Sequence, residues 1–186
     1  MKTNFVFLFL MLSSGVALAQ PGERVASTPA LNYDWRPGFV SITELTAGPG
    51  LGTTDVPYAR YYFGINTMAG YQFTRNIKAG LGVGLHRHND ETMYPVYGDV
   101  RFSFNASEFV PFITAIGGVA LNFDEPENRI WMYINPAAGV KWVAADRTGV
   151  SLSAGVMSMS GGGTRHSFIN FRLGVEFKFR RAGELR

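Results

Sequence analysis

The side chains best equipped for chemistry in this sequence are its histidines, His86, His88 and His166. His86-x-His88 stands beside Asp90 and Glu91, and imidazole with carboxylate is a donor set that suits zinc. The segment from His86 to Thr92 is polar and reads as a loop, where two histidines need nothing but water around them, so no metal is assigned on this spacing. His166-Ser167 places a base next to a hydroxyl. Hydrolysis by such a pair needs the hydroxyl bonded to the imidazole and the imidazole bonded in turn to a carboxylate. Neighbours on a strand point to opposite faces, so a strand-borne pair is poorly placed for that proton transfer. No catalytic residue and no cofactor are assigned.

A second set of ionisable residues is more regular: Glu44, Arg60, Lys78, Asp99, Arg101, Lys141, Arg172, Glu176 and Lys178, each set among apolar neighbours. The element that must position the last three is Ser167–Phe179. Its odd positions, Ser167, Ile169, Phe171, Leu173, Val175, Phe177 and Phe179, are apolar except for the serine, whereas Asn170, Arg172, Gly174, Glu176 and Lys178 alternate with them. Phe168 is the apolar exception on the polar side. Period-2 alternation sustained over this length specifies a long strand with one greasy and one wet face. Seven further segments repeat the pattern: Phe39–Leu51, Ala59–Phe73, Ile77–Leu85, Met93–Phe104, Phe109–Phe123, Arg129–Val143 and Gly149–Met159. The first alternates least cleanly, because Val40 and Ile42 fall on its polar face. In the third, Gly80, Gly82 and Gly84 follow Lys78 on the polar face and leave room for bulky neighbours.

Composition says which face looks where. The chain has 186 residues, 46% of them hydrophobic and 14% aromatic, with 22 glycines and no cysteine. Disulfides and thiolate metal sites are therefore absent. No apolar run beyond the amino terminus approaches the roughly 20 residues of a membrane helix, so any spanning is done by strands. The expected fold is all-β, an eight-stranded antiparallel up-and-down transmembrane barrel with its apolar face to lipid and the charges enclosed. A soluble lipocalin-like barrel or sandwich would show the Phe, Tyr, Ile and Leu face of nearly every strand to water. Short connections after the second, fourth and sixth strands, and longer polar ones after the others, place both termini on the same side. The formal charge of +3 is spread singly along the strands, which excludes the basic stripe of a nucleic-acid binder.

The remaining segments flank that barrel, expected at 38–180. Residues 1–19 carry Lys2, the apolar run Phe5–Leu12 and Ala17-Leu18-Ala19, the pattern of a secretory signal peptide. Residues 20–37 read as a periplasmic lead-in whose Tyr33 and Trp35 either sit at the membrane interface or cover the barrel mouth. Residues 181–186 form a carboxy-terminal tail.

The runs Gly64-Ile65-Asn66 to Gly70-Tyr71-Gln72-Phe73, Gly80 to Leu85, Pro111-Phe112 and Phe171 to Phe177 together resemble small OmpX/OmpA-type eight-stranded outer-membrane barrels, in the glycine-rich form of Bacteroidota-like porin-family sequences. The resemblance covers the mature chain and implies location in the bacterial outer membrane. It also implies contact with outer-membrane lipids and lipopolysaccharide, and a monomer. Gly174-x-x-Phe177-x-Phe179 is similar to the carboxy-terminal signature read by the outer-membrane assembly machinery. Such families usually end on the terminal aromatic, whereas here Arg180 to Arg186 follow it.

An eight-stranded barrel is just wide enough for its side chains to fill, so the enclosed charges should pair into a plug, packed with Tyr62, Tyr97 and Tyr133. The expected function is a non-enzymatic outer-membrane barrel with a membrane-structural or surface-interaction role. Alternatives are a narrow porin-like channel and, from the likeness of a rim Ser–His pair to membrane-embedded lipid A hydrolases, a lipid A-modifying enzyme.

Overall fold

A computed structural model of the chain describes residues 33–51, 60–88, 91–106, 108–123 and 130–179, all within one compact unit spanning Leu31–Arg186. The described residues form eight strands: β1 (Gly38–Pro49), β2 (Tyr61–Gln72), β3 (Ile77–His88), β4 (Glu91–Ser103), β5 (Phe109–Asn122), β6 (Ile130–Ala145), β7 (Thr148–Gly161) and β8 (Thr164–Lys178). Each pairs antiparallel with the next, and β1 pairs with β8 through Val40↔Lys178 to Ala47↔Phe171, which closes the barrel. Closure removes the unpaired edges an open sheet would have to hide.

The alternation that specifies these strands is inverted relative to a soluble core. Phe39, Leu81, Phe109, Ile130, Met132 and Phe177 point outward, with Leu81 77% exposed. Glu44, Lys78, Asp99, Arg101, Lys141, Arg172, Glu176 and Lys178 are all buried inside. A wall whose large apolar side chains face out, and whose strands hydrogen-bond to one another around a closed ring, is the arrangement a bilayer accepts. Strands of 12 to 16 residues exceed the roughly 9–11 needed to cross it at a tilt.

Two hairpins differ from the sequence expectation. The ladder of β3 and β4 runs on to His88↔Glu91, so His86 and His88 belong to a strand and not to a loop. Likewise β7 and β8 pair as far as Gly161↔Thr164, which brings His166 into β8. Gly162 and Gly163 make the turn between them with φ of 56° and 78°, the left-handed pair that a two-residue hairpin matching the strand twist requires. Polar residues at enclosed strand positions look like loop residues in a sequence, which is why both connections seemed longer than they are.

Val40 and Ile42 do face inward, and both are buried. Gly82 shows what the inward glycines are for: a Cβ there would fall inside the Tyr97 ring. The candidate signal peptide at 1–19, the lead-in before Tyr33 and the tail at 181–186 lie outside the described residues.

Candidate functional site

The lumen is the site, and it is filled in three layers. The layer nearest the chain termini is ionic. Glu176 on β8 accepts from Lys78 Nζ at 2.5 Å and 2.7 Å, from Lys141 Nζ at 3.3 Å, and from the Tyr33 hydroxyl. Beside it, Arg101 Nη2 lies 3.0 Å from Glu44 Oε1 and 2.7 Å from Asp99 Oδ2. Asp99 also accepts from Thr114 Oγ1 at 2.6 Å, and Arg172 Nη1 reaches Glu44 Oε2 at 3.5 Å. Parity along six strands puts the strand-borne groups inside; their long side chains then meet across the lumen. Buried charge at such depth is tolerable only when paired and hydrogen-bonded.

Tyr33 closes this end. It is 2% exposed, packs with Val110 and Val143, and lies under Lys141 Nζ, which is 4.2 Å from its ring centroid. Trp35 packs beside it in a tilted arrangement, with centroids 4.7 Å apart. Lys178 Nζ donates to the carbonyls of Asp34 and Arg36, so the lead-in is tied to the base of β8. The Tyr33–Trp35 pair thus covers the barrel mouth and does not lie at the membrane interface. Burial and the neighbouring Glu176 charge raise the Tyr33 hydroxyl well above the ordinary phenol range. The Arg36 side chain, which donates to Asp34, holds that carboxyl down at about 2.

The middle layer is uncharged. Thr46 Oγ1 donates to Asn170 Oδ1 at 2.7 Å, Asn170 Nδ2 donates to Asn135 Oδ1 at 2.9 Å, and Asn135 Nδ2 donates to the Tyr133 hydroxyl at 3.1 Å. Tyr62 donates to Asn170 as well.

At the far end the lumen is packed with rings and sulfur. Tyr62, Met93, Trp131, Met157, Met159 and Phe168 form one buried cluster with Tyr97 and Tyr133. His86 and His88 sit against it, His88 5.3 Å from the Phe168 ring and His86 6.0 Å from that of Tyr133. Phe168, the apolar exception on the wet side of the last strand, is an anchor of this layer.

No protein-family model matches the sequence, and no curated protein is similar to it. Among solved structures the chain is similar to neisserial surface protein A, NspA, with a TM-score of 0.61 at 12% identity, over 76% of this chain and 99% of that one. It is also similar to the outer membrane protein OprG from Pseudomonas aeruginosa, with a TM-score of 0.54 at 9% identity, over 81% and 99% of the two chains. The fold is that of a small outer-membrane β-barrel. Together with the apolar exterior, that fold places the chain in the bacterial outer membrane, where the barrel's ends face two aqueous compartments.

Against this geometry the expected site residues fall out as follows. Glu44, Lys78, Asp99, Arg101, Lys141, Arg172 and Glu176 converge in the ionic layer of the barrel. Arg60 does not join them: it is exposed, one residue ahead of β2. Its parity is that of the inward Tyr62, and its carbonyl accepts from Gly50 N at 2.9 Å, yet it stands at the rim and its side chain is exposed. Of the assembly-signal residues, Phe177 and Phe179 are exposed on the outer wall, while Gly174 faces Glu44 and Ser151 inside.

The histidines are not in outer loops. All three are buried in the barrel's lumen, whereas Ser167 pairs through its hydroxyl with Ser158 at 3.2 Å, on the opposite face of β8 from His166. Among the described residues no three of His, Asp and Glu gather as a metal site. Thr46, Asn135 and Asn170 fall on the inward face by parity with Glu44, Lys141 and Arg172 but are not among the expected site residues, because an uncharged polar side chain gives no sign of a partner.

Proposed function

We propose that the barrel acts as a closed, non-enzymatic outer-membrane protein with a membrane-structural or surface-interaction role, working through its lipid-facing wall and outer loops and not through a pore. The observation that carries this reading is the occluded lumen. The cavity bounded by Lys78, Arg101, Ser103, Lys141, Ser151 and Glu176 offers about 10 Å³, the space of about one water. A hydrated ion would have to part the ionic layer and then the aromatic one. Outer-membrane lipids, lipopolysaccharide and the assembly machinery, the last through Gly174, Phe177 and Phe179, are the partners this reading supplies, with the barrel as a monomer.

Planar-bilayer recording of the purified barrel tests it. The expected trace is flat. Reproducible single-channel steps that change on Arg172→Ala would replace the plug with a conducting path. Lipid A isolated from cells expressing the barrel should be chemically unchanged, and a modification lost on His166→Ala would make the protein an enzyme.

A further inference from the structure

The ring-and-sulfur layer contains donors that packing alone does not use. His86 Nε2 lies 2.9 Å from Asn66 Oδ1, while His86 Nδ1 and His88 Nε2 are buried with no hydrogen-bond partner. The two side chains are 1% and 2% exposed. Leaving a buried imidazole nitrogen unpaired is destabilising, so two of them on one strand call for an explanation. Their ring neighbours are Tyr62, Tyr133 and Phe168, and a thioether lies across the ladder. Met93 stands directly opposite His86 in the β3–β4 ladder, a placement that brings Cβ atoms within about 4.5–5.5 Å. Met159, in the same buried cluster as Met93, supplies a further sulfur. The His86 and His88 ring centroids are 6.2 Å apart.

We propose that His86, His88 and Met93 bind a soft monovalent ion, Cu(I), inside the lumen at the end away from the chain termini. The donor chemistry selects the ion. Thioether sulfur with neutral imidazole suits Cu(I) and serves zinc, calcium or magnesium poorly; the carboxylate opposite His88, that of Glu91, accepts from Asn122 Nδ2 at 3.2 Å. Asn66 completes the design: an amide oxygen accepting from Nε2–H fixes the His86 tautomer with its lone pair on Nδ1, as an outer partner does for a metal-bound histidine. A monovalent ion also suits an apolar, aromatic surround, because the desolvation cost of an ion rises steeply with its charge.

The test is anaerobic competition for Cu(I) between the untagged mature barrel in detergent micelles and the chromophoric chelator bicinchoninate. Stoichiometric withdrawal of Cu(I) is expected. It should be lost in Met93→Leu, a change that conserves core volume, and in the His86→Gln/His88→Gln double variant. Met132→Leu, on the exposed outer wall, should bind as the parent does. Heat-modifiable gel mobility reports that each variant is folded, and Met93→Leu keeps the test decisive if the histidine variants misfold. A folded parent that takes no Cu(I), a Met93→Leu variant that takes as much, or zinc held as tightly as copper would each overturn the assignment. None of these outcomes bears on whether the barrel conducts.

Discussion

Glu176 is the residue on which the ionic layer turns, since Lys78, Lys141 and Tyr33 all donate to it from different parts of the chain. Removing its charge leaves two buried ammonium groups facing each other. Glu176→Gln is expected to destabilise the barrel by roughly 3–5 kcal/mol, the range for breaking a buried pair. Replacing Lys78 by Met in the same chain should recover part of that loss. Urea unfolding in lipid vesicles measures both, and a Glu176→Gln barrel as stable as the parent would mean the layer is wet enough to screen its charges.

The outer wall gives a second test at this scale. Val83 faces lipid from β3, and Val83→Arg should cost roughly 2–4 kcal/mol if it lies near the bilayer midplane. Gly82→Ser, one residue away, acts by a different route, because its Cβ collides with the Tyr97 ring. The first loss should shrink when the barrel is unfolded from detergent micelles, which thin and hydrate around an arginine, and the second should not. Equal dependence on the surrounding amphiphile would mean the faces have been assigned wrongly.

At the scale of elements, the lead-in behaves as a latch on the closing seam. Asp34 N donates to Asp146 O at 2.8 Å, its carboxylate lies 3.5 Å from Lys178 Nζ, and Arg36 Nε donates to it at 2.9 Å. Because Asp34 titrates at about 2 in the folded barrel and near 4 when unfolded, its contribution is complete above the unfolded value. It is lost as pH falls through the folded one. Acrylamide quenching of Trp35, with Trp131 and Trp142 replaced by Phe, should therefore rise between pH 4 and pH 2. In Asp34→Asn it should already be high at pH 5 and stay flat.

The strands themselves were legible because lipid and an enclosed lumen impose opposite demands on alternate residues, which writes period 2 into the chain. The strand ends were harder. His86, His88 and His166 continue the inward parity of Gly84 and Phe168, yet a polar residue at an enclosed position carries the same composition signal as one in a loop. Arg60 is the opposite case: it shares the inward parity of Tyr62 but stands exposed at the rim, which a period-2 pattern does not distinguish from the lumen. The sequence leaves Tyr33 between the membrane interface and the barrel mouth, because its burial depends on Val110 and Val143, far along the chain.

For the molecule as a whole, the parity of a charge is written in the sequence but its partner is not: Lys78 and Glu176 meet across 98 residues only once β1 has found β8. That closure also stacks two obstructions in series along the lumen, the Tyr33-capped ionic layer and the Tyr62–Phe168 ring layer. Conductances in series are limited by the narrower one, so opening either alone should leave the barrel silent. Tyr33→Ala/Trp35→Ala, which unseats the lead-in, and Tyr62→Ala/Phe168→Ala, which hollows the far end, are each expected to give flat traces in planar bilayers. Combining all four substitutions should still give a flat trace, because the Lys78–Glu176 and Arg101–Glu44 pairs go on filling the lumen between the two ends. Steps in the Tyr33/Trp35 variant alone would mean the ring layer is permeable as it stands, and that the lead-in is the sole closure of an otherwise conducting barrel.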